Sequence, residues 1–397
     1  MESPPRWRRN VAVAAAASFV GFAGFTLVMP FLPLYFEQLG VHDVGSIAFW
    51  SGASLGVTPA VTAVLAPFWG RLADRVGHRL LVLRSLVAFT LVMAAMAFVT
   101  RAWHVFALRA LLGLFAGYGA LTLTMAAESA PPDRLPRAIG AVQTAQRLGP
   151  ALGPALGGVV AQLVGIRRAF LAAAVCYLIA LVLIAALYHD PPRKAERPRG
   201  ARGPGVRGLL AESDFARLMG IVFGLQLVER SFGPVLPLYL AQLGAPASRV
   251  PLESGLLFSA GAAAAALGHH SAGILLPRYA ARRLLGVAAG GGTVAVALCA
   301  LAGPRWLLFI ATPGLGVLTG LALTTAYAAA GRLMPPGSSG AGFGLLTTAS
   351  LLAVASSPVL AGLVGTWSLR AVFLADTLAM AVVAGVGGRL RTAGRRA

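Results

Sequence analysis

Long apolar stretches with few or no charges recur along the whole chain, and they limit the available folds more than any other feature. They run over 11–36, 47–69, 80–99, 103–127, 138–163 and 169–188, then over 215–242, 254–276, 284–302, 306–330, 341–365 and 371–388. A helix crosses hydrocarbon with about 20 mainly apolar residues, and each stretch is long enough. Only the third, fourth, fifth, seventh and twelfth hold formal charges. A soluble domain carries about 25% charged residues, whereas this chain has 12% charged and 57% hydrophobic residues. No soluble core of this length hides so much apolar surface. The expected fold class is an all-α membrane protein of twelve transmembrane helices, numbered here as spans 1 to 12.

Residues 189–213, rich in Pro, Gly and Arg, read as a solvated linker. The expected organisation is one six-helix bundle over 1–188, a cytoplasmic linker over 189–213 and a second bundle over 214–397. The halves repeat. PFLPLYFEQLG at 30–40 matches PVLPLYLAQLG at 234–244 in eight of eleven positions, at an offset of 204. Gly70, Leu72, Arg75 and Arg79 match Gly273, Leu275, Arg278 and Arg282, and Arg167, Phe170 and Leu171 match Arg370, Phe373 and Leu374, both at an offset of 203. Parallel repeats of this kind build transporters with a substrate site near the midplane between halves. Pro30 and Pro33, with their counterparts Pro234 and Pro237, are expected to bend spans 1 and 7.

The formal net charge of +20 invites a nucleic-acid reading, but its distribution excludes one. With the N-terminus in the cytoplasm, most basic residues fall in cytoplasmic segments or just inside the flanking span ends. The exceptions are Arg101, Arg167, Arg168, Arg249, Arg305 and Arg370 outside, and Arg109, Arg147 and Arg230 within spans. This positive-inside bias places both termini in the cytoplasm and makes the lipid bilayer the expected partner. Arg6, Arg8 and Arg9 before an apolar run resemble a signal peptide, but the run is too long for one and reads as span 1, retained. Cys176 and Cys299 give no disulfide framework.

Three motifs then stand out. Gly70-Arg-Leu-Ala-Asp74-Arg75-Val-Gly77-His78-Arg79 resembles the loop between helices 2 and 3 of the major facilitator superfamily. Gly149-Pro-Ala-Leu-Gly153-Pro154-Ala-Leu-Gly157-Gly158 is similar to the motif of that superfamily's antiporter branch. Arg109-Ala-Leu-Leu-Gly113 resembles its helix 4 motif, with Leu112 where glutamine is usual. The string Leu27 to Tyr35 and the triplet Phe68-Trp69-Gly70 resemble its bacterial multidrug-resistance members, twelve-helix drug:proton antiporters. The resemblance implies a conformational switch in which Asp74 ties Arg75 and the start of span 11. It implies an antiporter bend and close helix contact in span 5, and proton coupling at Arg109. Export of small molecules in exchange for protons across the cytoplasmic (inner) membrane is the expected function, without a cofactor and as a monomer. Proton-coupled import, or export of a single metabolite, is the alternative.

Charges within the bilayer are costly and need a partner or a purpose. Span 7 carries Glu229 and Arg230, span 5 carries Arg147, and span 12 carries Asp376. A carboxylate that exchanges an arginine partner for a proton can drive coupling, so Glu229 is the expected main proton site, with Arg147 or Arg230 as partner. The same charges can equally form a structural ion-pair network. Asp376 is the weaker candidate, because helix 12 of this fold usually lies at the periphery. Glu37, at the outer end of span 1, is the only acid there, whereas many drug:proton antiporters carry one within that helix. His269 and His270 read as packing residues sooner than as a proton relay. The arginine excess points to a neutral, zwitterionic or anionic substrate. Tyr35, Phe25, Tyr118, Gln143, Gln146, Gln226, Phe232 and Tyr239 are the candidate cavity residues.

Other classes are excluded by what is missing. The single lysine, Lys194, cannot form an ATP-binding G-x-x-x-x-G-K-[ST] loop. HExxH does not occur, and Gly52-Ala53-Ser54-Leu55-Gly56, which fits the G-x-S-x-G spacing, lies inside apolar span 2 and follows no strand, so no hydrolase site is expected.

Overall fold

The computed structural model describes residues 6–131, 134–189, 211–301, 303–334 and 339–390. All regular structure among them is helical. Eleven helical spans are long and apolar enough to cross a membrane. The twelfth, span 5 (Leu135–Val164), has the length. Gln143, Gln146, Arg147 and its glycines and prolines leave it outside that apolar set. Most of the proposed linker, from 190 to 210, lies outside the described residues.

Two spans are broken. Span 1 is a helix over Arg6–Leu27, a 3-10 turn at Met29–Phe31 and a helix over Leu32–Gln38. Pro30 and Pro33 lack the N–H groups that a continuous helix would use. Span 4 is Ala102–Leu114 followed by Tyr118–Ser129. Span 7 differs from its counterpart: Ser213–Gln242 is continuous through Pro234 and Pro237. The matched prolines therefore interrupt the helix in span 1 and lie inside an unbroken helix in span 7. Spans 2, 3 and 6 are Val44–Val76, His78–Met96 and Ile166–Leu187. Spans 8 to 12 are Val250–Leu275, Ala281–Leu301, Leu308–Leu333, Ser339–Gly365 and Leu369–Gly388.

Packing divides the chain into two compact units. The first runs through His42, from Ala53 past the end of span 6, and over Pro246–Ser259. The second takes Asp43–Gly52, span 7 and the chain from Ala260 onward. This departs from the linear division at the starts of spans 2 and 8, and glycine explains both departures. In the second unit, a side chain on Gly52 would strike the Pro358 carbonyl, and one on Gly362 would sit 2.5 Å from the Ala48 carbonyl. In the first, one on Gly255 would strike the Pro154 carbonyl. Hydrocarbon gives helices no hydrophobic drive to associate, so backbone approach at small residues and buried hydrogen bonds hold them together.

The internal repeat is visible as matched locks. In the first unit the Tyr35 hydroxyl donates to the Met96 carbonyl at 2.5 Å, and its ring lies 4.8 Å from Phe170. In the second the Tyr239 hydroxyl donates to the Cys299 carbonyl at 3.1 Å, and its ring lies 4.9 Å from Phe373. The shared Gln-Leu-Gly ends both strings the same way. Gly40 (φ 88°) and Gly244 (φ 82°) take the left-handed conformation that terminates a helix.

Candidate transport site

Span 5 presents three faces. Gly149, Gly153 and Gly157 face span 1, where an added methyl at Gly149 would lie 2.7 Å from the Phe19 carbonyl and one at Gly153 would lie 2.6 Å from the Ala23 carbonyl. One at Gly157 would collide with the Leu27 carbonyl. Leu148, Leu152, Leu156, Val159 and Leu163 form an exposed apolar stripe suited to lipid. The third stripe runs Gln143, Arg147, Pro154, Gly158, spaced to share one side of a helix. At its outer end a methyl added at Gly158 would lie 3.0 Å from the Pro251 carbonyl, and the Ala155 N–H donates to the Ser259 hydroxyl at 2.9 Å. The motif glycines thus serve two contacts, while Gln143 and Arg147 remain exposed where the stripe runs inward. Arg147 has no hydrogen bond or ion pair among the described residues.

Arg109 of span 4 is 1% exposed. Its Nε donates to the Ser54 carbonyl at 3.1 Å, Nη2 lies 3.3 Å from the Met29 sulfur, and the guanidinium stands 5.8 Å from the Phe25 ring centre. None of these partners is a carboxylate. Four residues on, a methyl at Gly113 would be 2.6 Å from the Thr58 carbonyl, while the Thr58 hydroxyl donates to the Arg109 carbonyl at 2.7 Å. The R-x-x-x-G spacing therefore seats span 4 against span 2 and aims the arginine at span 1.

In the second unit, Glu229 and Arg230 form a loose pair at 3.6 Å, with side chains 43% and 48% exposed. Asp376 is instead 3% exposed. Its carboxyl is hydrogen-bonded with the Ser231 hydroxyl, which is also 2.8 Å from the Val228 carbonyl. Span 12 keeps an exposed apolar face at Leu374, Leu378 and Val382, and Asp376 lies on its buried side. His269 Nδ1 lies 2.7 Å from the Thr324 hydroxyl, consistent with a packing role.

Several expected cavity residues are withdrawn into the bundles. Tyr35 and Tyr239 are fully buried in the locks described above, and Phe232 and Tyr118 are 4% and 5% exposed. Gln146 is half-buried and donates to the Gly119 carbonyl at 2.9 Å, and Gln226 donates to the Ser350 hydroxyl at 2.8 Å. These groups stitch helices together. Gln143, Phe25, Arg147, Glu229 and Arg230 keep exposed or partly exposed surface.

At the loop between spans 2 and 3, Gly77 turns the chain at φ 100°. His78 Nδ1 lies 3.1 Å from a Glu128 carboxylate oxygen, and Arg79 donates to the Ala185 carbonyl at 2.8 Å. The side chain of Asp74 and the surroundings of Gly70 lie outside the described residues, as does the expected tie to Arg75 and span 11. Arg84 stacks 3.6 Å over Trp69, whose ring N–H donates to the Leu114 carbonyl. Sequence reasoning missed Arg84, Glu128 and Ser231. The alternation of charges at span ends could have found the first two. A lone serine beside two charges gives no signal.

The model of the Major Facilitator Superfamily matches residues 14–312 and 218–395. The chain is 33% identical over 293 residues to the multidrug resistance protein MdtG of Salmonella arizonae, covering 72% of this chain and 71% of that protein. It is 32% identical over 292 residues to MdtG of Escherichia coli, covering 72% and 70%. A crystal structure of a bacterial homologue of the human lysosomal transporter Spinster superposes with a TM-score of 0.81 at 14% identity, over 98% of this chain and 97% of that one. A second, in its occupied conformation, gives 0.83 at 15%, over 97% of each. The family match, these relatives and the shared fold establish that this multi-pass membrane protein belongs to the Major Facilitator Superfamily.

Proposed function

We propose that the chain is a secondary active transporter that exports small molecules, drugs among them, across the cytoplasmic membrane in exchange for protons. Arg147 carries this reading. It is an exposed cation well inside span 5, on the polar stripe and away from the leucine stripe. A charge at that depth is tolerated where it faces a bundle interior or a watery cavity and handles cargo. The multidrug-resistance relatives support a broad range of small-molecule substrates, and the glycine–proline motif of span 5 supports export over import. The proton gradient is the driving force, both termini lie in the cytoplasm, no cofactor takes part, and one copy suffices. Arg109, Arg230 and Glu229 are assigned to the coupled charge movements.

The test is growth of a bacterium stripped of its own exporters, expressing this chain, on anionic, neutral and cationic toxic compounds with and without a protonophore. Protection that the protonophore removes and that Arg147→Ala weakens is the expected result. Equal growth with and without the expressed chain, for every compound, rejects the reading.

A further inference from the structure

Asp376 lies in the interior of span 12 and is 3% exposed. No arginine, lysine or histidine lies within salt-bridge distance among the described residues. Its hydrogen-bond partner there is the hydroxyl of Ser231 in span 7, itself 2% exposed. That hydroxyl also sits 2.8 Å from the Val228 carbonyl, three residues back along its own helix. A serine hydroxyl holds one proton and can also accept. With Asp376 ionised, carboxylate and carbonyl compete for that single proton, and a bare negative charge stays in the membrane interior with an incomplete partner. With Asp376 protonated, the serine bonds both ways: the carboxyl O–H donates to Ser231 Oγ, and Ser231 donates to the Val228 carbonyl.

We infer that Asp376 holds a proton in this conformation and is the acid that carries the coupled proton, with Ser231 as its positioning residue. This rests on the reading of the chain as a proton-coupled exporter and moves the coupling role from Glu229. The step is a plain protonation: the carboxylate takes one proton arriving from outside and later gives one proton to the cytoplasm. No bond to substrate forms.

The surroundings favour such a site. Spans 7, 9 and 11 pack against span 12. Span 7 brings Glu229 and Arg230, both exposed, and successive helical residues diverge by about 100°, so neither shares the face of Ser231. It also brings Tyr239, whose hydroxyl is engaged by the Cys299 carbonyl. Span 9 brings Cys299, fully buried. Span 11, from Ser339 to Gly365, has no ionisable side chain. No fixed charge there holds Asp376 in one state. A permanently neutral group could be an amide or a hydroxyl, and what the carboxyl adds is the capacity to ionise.

The experiment compares the full-length protein with Asp376→Asn, Asp376→Glu and Ser231→Ala in liposomes. Infrared spectra in H2O and D2O, which need no substrate, should show a protonated carboxyl band that Asp376→Asn lacks and that Ser231→Ala shifts. A compound against which the unmutated protein gives protonophore-sensitive protection is then followed in two modes. Asp376→Asn should lose gradient-driven export at least tenfold yet keep exchange of labelled for unlabelled compound, and Asp376→Glu should restore part of the export. An unchanged carboxyl band in Asp376→Asn, or gradient-driven export equal to the unmutated protein, overturns the inference. Absence of protonophore-sensitive transport by the unmutated protein overturns the exporter reading, and the coupling role with it. The infrared band still decides whether Asp376 holds a proton. If Asp376→Asn fails to accumulate, Ser231→Ala decides, because an unshifted band and an unchanged pH profile of export reject the positioning role.

Discussion

Replacing Gly153 by alanine should loosen the junction of spans 1 and 5. The added methyl would stand 2.6 Å from the Ala23 carbonyl, where ordinary contact begins at 3.4 Å, and would also meet the Thr26 hydroxyl. The deficit is therefore about 0.8 Å, against backbone that cannot swing aside as a side chain would. Inserting one methyl into a well-packed contact costs about 1–3 kcal/mol. Gly220→Ala is the matched control, since a methyl there meets nothing within 4 Å, and alanine in an exposed helix interior is favoured over glycine by about 0.5–1 kcal/mol. Both variants can be melted in detergent with a thiol-reactive dye, because Cys176 and Cys299 are free and Cys299 is buried until the bundle opens. Gly153→Ala should melt several degrees below the unmutated protein, and Gly220→Ala at or above it. Identical melting of the two would refute the argument that backbone approach at the motif glycines holds this junction.

Tyr35→Phe and Tyr239→Phe should lower stability by similar amounts, about 0.5–1.5 kcal/mol each, and leave substrate affinity alone. Paired thermal melts and binding isotherms check this. Glu229→Gln should change stability by less than about 1 kcal/mol, since its pair with Arg230 is exposed and between chain neighbours. A denaturation midpoint measures it. Arg147→Ala should cut transport tenfold or more, about 1.4 kcal/mol, without lowering the melting point, because the side chain makes no hydrogen bond or ion pair among the described residues. Asp43 caps span 2 by accepting the Ser46 N–H at 2.7 Å, which holds its carboxyl below the usual aspartate range. A lowered folded value means that this stabilisation is complete above the unfolded value and fades as pH falls through the folded one. The melting difference between the unmutated protein and Asp43→Ala should therefore be present at neutral pH and vanish in strong acid.

The spans and the repeat were readable because both depend on local patterns. An apolar run of about 20 residues announces itself, and the Pro-Leu-Tyr strings match residue for residue. Their meaning was less readable. Tyr35 and Tyr239 looked like cavity aromatics, yet a tyrosine five residues before a helix-ending glycine is where a hydroxyl can reach the end of a neighbouring helix. That reach is set by tertiary packing. The prolines show the same dependence on surroundings: an identical pair interrupts span 1 and leaves span 7 continuous, since neighbouring helices decide whether freed carbonyls find other donors. Glu229 and Asp376 were both visible as charges in apolar sequence. Which one is buried depends on helix rotation, and one sequence without relatives does not fix that. The exchange of helix starts between units depends on glycines that face each other only in three dimensions.

Span 5 also bears on how the protein is made. Among the described residues eleven spans are long and apolar enough to cross a membrane, whereas the helix from Leu135 to Val164 carries Arg147 and three glutamines within it. An arginine near the centre of a lone helix costs about 2.5–3.5 kcal/mol on insertion scales. Its glycine row, shaped to span 1, offers a docking partner synthesised earlier. Biogenesis should therefore pass through a stage in which span 5 waits beside the nascent first helix, and a chain truncated just after Val164 and lacking span 1 should leave that segment outside the bilayer.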